Sequence, residues 1–359
     1  MTAVLDADLL DDESLLEAAD PGGMLRQVAS AAAQVRSGAR AATETDLEAI
    51  TGPGRPRAIL VAGMGGSGIA GDILSAVCGR GCPVQVISVH DYHLPGWAGV
   101  ADLVVAVSCS GSTQETLAAA HEAARRGCRL AAVGAAGSAL ADLAARARAP
   151  FIPVISAGMP RSTLWGLSIP LVAIAQQLKV VDIGPNAYEE TARLLEEISH
   201  RCRPASESFV NPAKGLAADL AGCLPLIWGA SPLTGVVAYR FACQLNENAK
   251  RPAVAGVLPE ASHNQVVPFD GPGLPLPLRL VVLADSREHA EVTRRREALV
   301  GLAADRGIAV TKLAAEGDHP LLRLASLIQL IDYATVYLAL GSGVDPSPIS
   351  AIQELKARE

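Results

Sequence analysis

Aromatic residues are scarce in this chain. Three Trp, five Tyr and four Phe make up only 3% of its 359 residues, while Ala, Val, Leu and Gly dominate. That mixture argues against an all-β sandwich and for helices packed closely on a parallel sheet. Positive charge is also short: Lys and Arg number 30 against 37 Asp and Glu, a net charge of −7. A nucleic acid backbone needs a basic face, so this charge argues against nucleic acid as the main partner, although local donors can still hold an anionic metabolite. Residues 1–20 are acidic and have no basic start leading into an apolar stretch, so no signal peptide is read there. Apolar runs such as 278–283 are far too short to span a bilayer, so no membrane partner is expected. The seven cysteines (78, 82, 109, 128, 202, 223 and 243) are odd in number and sit mostly in apolar segments. They read as buried thiols of a reducing compartment, the cytoplasm. Cys78 and Cys82 have no second pair and no nearby His, and no His/carboxylate cluster has ligand spacing. Neither a metal nor a cofactor is expected.

The length suits two domains, and the 50% hydrophobic content supplies a core for each. Residues 1–50 read as polar and Ala-rich helices. From 58 onward strands and helices alternate: strands at 58–62, 84–89, 103–107, 130–133 and 151–154, and helices at 69–77, 114–126, 140–147 and 161–178. This spacing predicts a parallel, doubly wound sheet. Residues 182–186 look like a linker. The pattern then restarts, with helices at 188–201, 213–220, 236–249, 288–305 and 321–340 and strands at 224–228, 278–283 and 308–312. The organisation predicted is an N-terminal helical segment (1–50) followed by two related α/β domains in tandem (51–183 and 184–359).

Two loops of the first half lie between a strand end and a helix start, where open parallel sheets collect ligands. One is Gly63-Met64-Gly65-Gly66-Ser67-Gly68 and the other is Ser108-Cys109-Ser110-Gly111-Ser112-Thr113. The first N–H groups of a helix have no internal partner and its dipole favours an anion. Small hydroxyls beside bare N–H groups suit a phosphate monoester. The glycine loop alone could be a packing turn. It is no nucleotide P-loop, because Ile69-Ala70 stands where Lys-Ser/Thr is required. Asp91 keeps a dinucleotide site in contention, but that reading leaves the second hydroxyl loop unexplained. The second half echoes the glycine loop weakly at Gly229-Ala230-Ser231-Pro232-Leu233-Thr234.

These loops, together with Gly158-Met159-Pro160-Arg161, resemble the successive motifs of sugar isomerase (SIS) domains. With Asn246-Glu247-Asn248, Ser262-His263-Asn264 and Asp345-Pro346-Ser347-Pro348, the chain from about 60 onward resembles the dimeric bifunctional phosphoglucose/phosphomannose isomerases. The resemblance implies two tandem SIS-type domains, each a doubly wound, mostly parallel sheet flanked by helices. It further implies a homodimer with shared sites and a hexose phosphate substrate. Gly66, Ser67, Ser108, Ser110 and Thr113 would hold the phosphate. Arg161 would face the enediolate charge, Glu247 would be the base between C1 and C2, and His263, with help from Lys356, would open the ring. Ser347 would bear on the choice of epimer.

Each assignment has a plainer rival. Arg161 alone reads as a solvated surface arginine, Glu247 as a solvated carboxylate near a helix end, and His263 as a structural histidine. The other histidines have no comparable context, His319 being the one to watch. The chain also departs from the family pattern. Ser112-Thr113-Gln114 replaces Asn-Thr-Glu, Met159 replaces a Pro, Gln265 replaces a Glu, and Ser347 replaces a Thr. These departures keep a non-catalytic sugar-phosphate sensor in view. An amidotransferase is disfavoured because residues 1–20 contain no cysteine. A transcription regulator is disfavoured because residues 1–50 show no basic helix-turn-helix.

Overall fold

A computed structural model describes residues 5–156, 158–271 and 276–358. The chain forms two compact units. The first comprises Ser30–Arg193 and His319–Leu322; the second takes in the chain up to Ala29, Leu194–Asp318 and the chain from Arg323 onward. The N-terminal helices are thus divided, those before Ser30 packing with the second unit and Ala31–Glu44 with the first.

The first unit contains β1 (Ala58–Ala62), β2 (Gln85–Val89), β3 (Leu103–Ser108), β4 (Arg129–Gly134) and β5 (Phe151–Pro153). They form one parallel sheet in the order β2-β1-β3-β4-β5. Every residue of β1 and β3 is buried, as expected of strands covered by helices on both faces. Ala119, Ala120 and Ala123 of the helix Gln114–Arg125 and Leu140, Leu143 and Ala144 of the helix Ala139–Ala147 pack with one face. The helix Leu164–Gln177 is apolar almost all round, so it lies wholly inside the unit. Its neighbour Ala31–Glu44 approaches it closely at Gly38, where a Cβ would come within 3.2 Å of Ile169. Small residues thus do here what large aromatics do in other cores.

The chain order reverses between β1 and β3, and their register sets Ala62 beside Ala106. The turns that follow the two strands therefore leave the same edge of the sheet as neighbours, at the switch point where α/β sheets bind ligands.

The second unit repeats this layout with β6 (Leu224–Gly229), β7 (Val254–Val257), β8 (Leu278–Ala284) and β9 (Ala309–Ala314), parallel in the order β7-β6-β8-β9. Its core holds Trp228 stacked on Phe269 with ring centroids 5.9 Å apart. The helix Pro320–Gly341 is long and apolar enough to cross a membrane, a longer apolar reach than the strand runs alone showed. Its most apolar stretch is 94% buried in protein, which makes it a core helix. Asp332 on that helix takes hydrogen bonds from Arg240 Nε and Gln244 Nε2, both at 3.0 Å.

Some elements differ from the pattern read in the sequence. Residues 161–163 are not the start of the long helix, because Pro160–Ser162 form a separate 3-10 turn and the helix begins at Leu164. The helix expected at 236–249 spans Pro232–Glu247, beginning earlier because Ser231 caps it and Pro232 takes its first position. The edge strand β7 and the terminal helix Ser350–Ala357 were not anticipated.

Candidate active site

The first unit contributes the phosphate-type turns. After β1, Gly63 N–H donates to Val89 O (3.2 Å) and the chain makes a 3-10 turn over Gly65–Ser67. Only Gly65 in this turn takes a left-handed φ, +54°, a conformation that glycine adopts without strain. Gly66 serves a different need. A Cβ there would lie 3.3 Å from both Arg161 Cα and Pro160 O, so its bare Cα is what lets the arginine turn come so close.

Ser67 is buried, and its Oγ accepts the Cys109 N–H at 3.2 Å. That bond joins the glycine turn to the hydroxyl turn. It also leaves the one hydroxyl hydrogen of Ser67 free to be donated to a ligand. Ser108 Oγ, at the end of β3, accepts from Gly111 N–H (3.0 Å) and shares a proton with Thr113 Oγ1 (2.9 Å). Thr113 occupies the cap of the helix Gln114–Arg125 but makes no side-chain cap bond. The opening N–H groups of that helix therefore keep the orphan character that attracts anions. Ser110 is exposed on the same turn, where its Oγ accepts from Ser112 Oγ at 3.0 Å. Gly66, Ser67, Ser108, Ser110 and Thr113 thus all belong to this joined pair of turns.

Arg161 is 2% exposed, which overturns the reading of a solvated surface arginine. Its turn is braced by Gln34, itself buried, whose Nε2 donates to Ser162 O (2.7 Å) while its Oε1 accepts the Gly166 N–H (3.2 Å). Sequence reasoning missed Gln34, because nothing in an Ala-rich helix marks one glutamine as a long-range brace. It also passed over His90 at the end of β2, whose Nδ1 lies 2.9 Å from Gly63 O.

The second unit carries the remaining candidates. Glu247 is the last residue of the helix Pro232–Glu247 and is half-buried. Next to it, Asn248 is fully buried and donates from Nδ2 to Thr335 Oγ1 (3.0 Å), fixing the helix end on the helix Pro320–Gly341. Lys250 Nζ donates to the carbonyls of Glu247 (2.5 Å) and Pro346 (3.1 Å), which draws the Glu247 and Asp345–Pro348 motifs together. Burial pushes the pKa of the Cys243 thiol, one helical turn before Glu247, above its ordinary value, and the Glu247 carboxylate adds to that effect.

Ser347 is buried beside Gly22, where a Cβ would fall 1.8 Å from its Oγ. His263 is exposed at the end of the 3-10 turn Glu260–His263. Its Nε2 lies 3.1 Å from Arg295 Nη1, and since a guanidinium only donates, Nε2 is the acceptor. The Gln265 that replaces a Glu has a definite job: its Oε1 accepts from Trp228 Nε1 at 2.6 Å and ties the turn to β6. Lys356 lies exposed on the helix Ser350–Ala357, no residue of which is buried. Among the described residues, no group of three or more His, Cys, Asp or Glu side chains is placed to hold a metal.

Two parallel sheets of shared strand order, with serine- and threonine-lined turns at the switch point of one, define a protein of the SIS-domain class. Comparison with known proteins narrows this. Residues 209–358 match the model of the bacterial phospho-glucose isomerase C-terminal SIS domain. The chain is 33% identical over 299 residues to a bifunctional phosphoglucose/phosphomannose isomerase of Caldicellulosiruptor bescii, covering 83% of this chain and 88% of the relative. It is 30% identical over 301 residues to one from Aquifex aeolicus, covering 84% and 89%. The chain belongs to the bifunctional phosphoglucose/phosphomannose isomerase family. Solved structures share the fold at low identity. A hypothetical protein of Thermus thermophilus aligns with a TM-score of 0.73 at 18% identity, covering 99% of this chain and 98% of that one. A glucose-6-phosphate isomerase of Chlamydia trachomatis aligns with a TM-score of 0.69 at 14% identity, covering 90% and 72%.

Proposed function

We propose that this protein isomerises hexose 6-phosphates, interconverting fructose 6-phosphate with glucose 6-phosphate and mannose 6-phosphate through an enediolate. The observation that carries the proposal is the bond from Cys109 N–H to Ser67 Oγ, which makes one anion cradle of two turns and leaves buried Arg161 against it. Gly66, Ser67, Ser108, Ser110 and Thr113 take the phosphate, and the dipole of the helix Gln114–Arg125 adds to the attraction. Arg161 offers a permanent charge and fixed donors to the oxygens that become negative in the enediolate. Glu247 removes the proton from one of C1 and C2 and returns it to the other. His263, with Lys356, moves the proton that opens the sugar ring.

Ser347 bears on acceptance of the mannose epimer, since it keeps a hydroxyl where the family pattern has Thr. The working assembly is a homodimer in which His263 serves the neighbouring subunit's site, and the free thiols suit the cytoplasm.

Purified protein incubated with a panel of hexose 6-phosphates and followed by NMR should show exchange at C2. Glu247→Gln should lower the rate by about 10²–10⁴-fold, the usual contribution of a general base. Saturable binding without turnover would instead identify a sugar-phosphate sensor. Mixing His263→Ala with Glu247→Gln protomers should restore part of the activity if sites are shared.

A further inference from the structure

We infer that His90 is a positioning residue for the phosphate-binding glycine turn, setting affinity for the phosphate group while leaving the proton transfers untouched. The inference rests on the reading of Gly63–Gly68 as a phosphate turn and adds to it a residue from the neighbouring strand.

β2 and β1 are paired so that Val89 stands opposite Ala62, and Val89 O accepts the Gly63 N–H. This brings the residue after β2 beside the turn that follows β1. His90 makes two contacts there. Its Nδ1 lies 2.9 Å from Gly63 O, and because a carbonyl oxygen only accepts, Nδ1 carries the proton. Its ring also covers Gly68, where a Cβ would lie 2.6 Å from His90 Cε1 and 2.7 Å from Nδ1. The imidazole therefore touches the turn at both ends, bonding to its first residue and lying over its last.

Between those contacts lie Gly65 and Gly66, whose N–H groups, with the Ser67 hydroxyl, face the anion in this reading. Within the turn the chain is held by local bonds, Ser67 N–H to Met64 O (3.0 Å) and Gly68 N–H to Gly65 O (3.0 Å). A turn with so many glycines has wide conformational freedom. Contacts from outside it, His90 on one flank and the Cys109–Ser67 bond on the other, hold it in one shape. Preorganised donors bind without the cost of being ordered when the ligand arrives.

The requirement for a donor at the Nδ1 position gives a sharp test. An Asn side chain places its amide nitrogen close to the position of His Nδ1, whereas Gln places it near that of Nε2. His90→Asn should keep the bond to Gly63 O, and His90→Gln should lose it although it is nearer in bulk to histidine. The probes are hexose 6-phosphate turnover and competitive inhibition by inorganic phosphate.

For His90→Gln we expect both KM and the inhibition constant for phosphate to rise about five- to tenfold, the size of one lost hydrogen bond, with kcat within about twofold. His90→Asn should lie within about twofold of the parent on every constant. Equal constants in the parent and the Gln variant would overturn the inference. So would a loss in both variants, or a fall in kcat at constant KM. If inorganic phosphate fails to compete in the parent protein, the phosphate reading of the turn fails, and this inference with it.

Discussion

The turns after β1 and β6 occupy the same place in two sheets of the same strand order, yet their hydroxyl groups are committed differently. After β1, Ser67 accepts a backbone N–H from the turn after β3 and keeps its own hydrogen available, and in that neighbouring turn Thr113 leaves its helix uncapped. After β6, Ser231 closes a capping box with Thr234, accepting the Thr234 N–H at 3.2 Å. Its hydroxyl hydrogen goes to Asp285 Oδ2 at 2.8 Å. Asp285 follows β8, the counterpart of β3, and its other oxygen lies 2.9 Å from Arg323 Nε. The second turn thus has an anion supplied by its own chain, where the first keeps its donors open. The difference teaches that a strand–helix turn becomes a ligand site only when its donors lack an internal acceptor.

The comparison can be broken most forcefully by placing at the end of β3 the carboxylate that follows β8. Ser108→Asp should weaken inorganic phosphate and hexose phosphate binding by about 10³-fold, since like charges placed together cost several kcal/mol. Titration calorimetry would check this, and unchanged affinity would remove the basis for the contrast. Next in size is Asp285→Ala, which leaves the buried Arg323 without its ion-pair partner. Breaking a buried pair this way should lower stability by about 3–5 kcal/mol in urea unfolding, with phosphate affinity of the folded protein unchanged. The smallest effects should come from the caps. Ser231→Ala should cost about 1 kcal/mol of stability, whereas Thr113→Ala should stay within about 0.5 kcal/mol and raise KM instead. Matching stability losses for the two caps would show that both turns are merely structural.

Much of the sheet was legible because a parallel strand buried on both faces must be apolar at every position. β1 and β3 are such strands, and the turns behind them stand out by their glycines and hydroxyls. β7 escaped notice because it is an edge strand of only four residues, with both ends exposed and a glycine that interrupts its valines. The terminal helix escaped because it is two turns long, and its apolar pair Ile352 and Leu355 is too short a stripe to read and is exposed in the fold.

Among site residues, the two turns could be picked out by their glycines and hydroxyls, while the choice of phosphate ligands within them rested on the family resemblance. The burial of Arg161 could not be read, because it depends on Gly66 and on a helix far away in the chain. Nor could the occupation of Ser231 by Asp285, a contact across 54 positions that local spacing does not encode.

The amide of Gln34 has a wider consequence. With one end grasping Ser162 and the other receiving Gly166, it works like a dowel between an early helix and the arginine turn. An engineer trimming those opening helices as dispensable decoration would be pulling that dowel, and the arginine's presentation would loosen before any residue of the phosphate cradle had been touched.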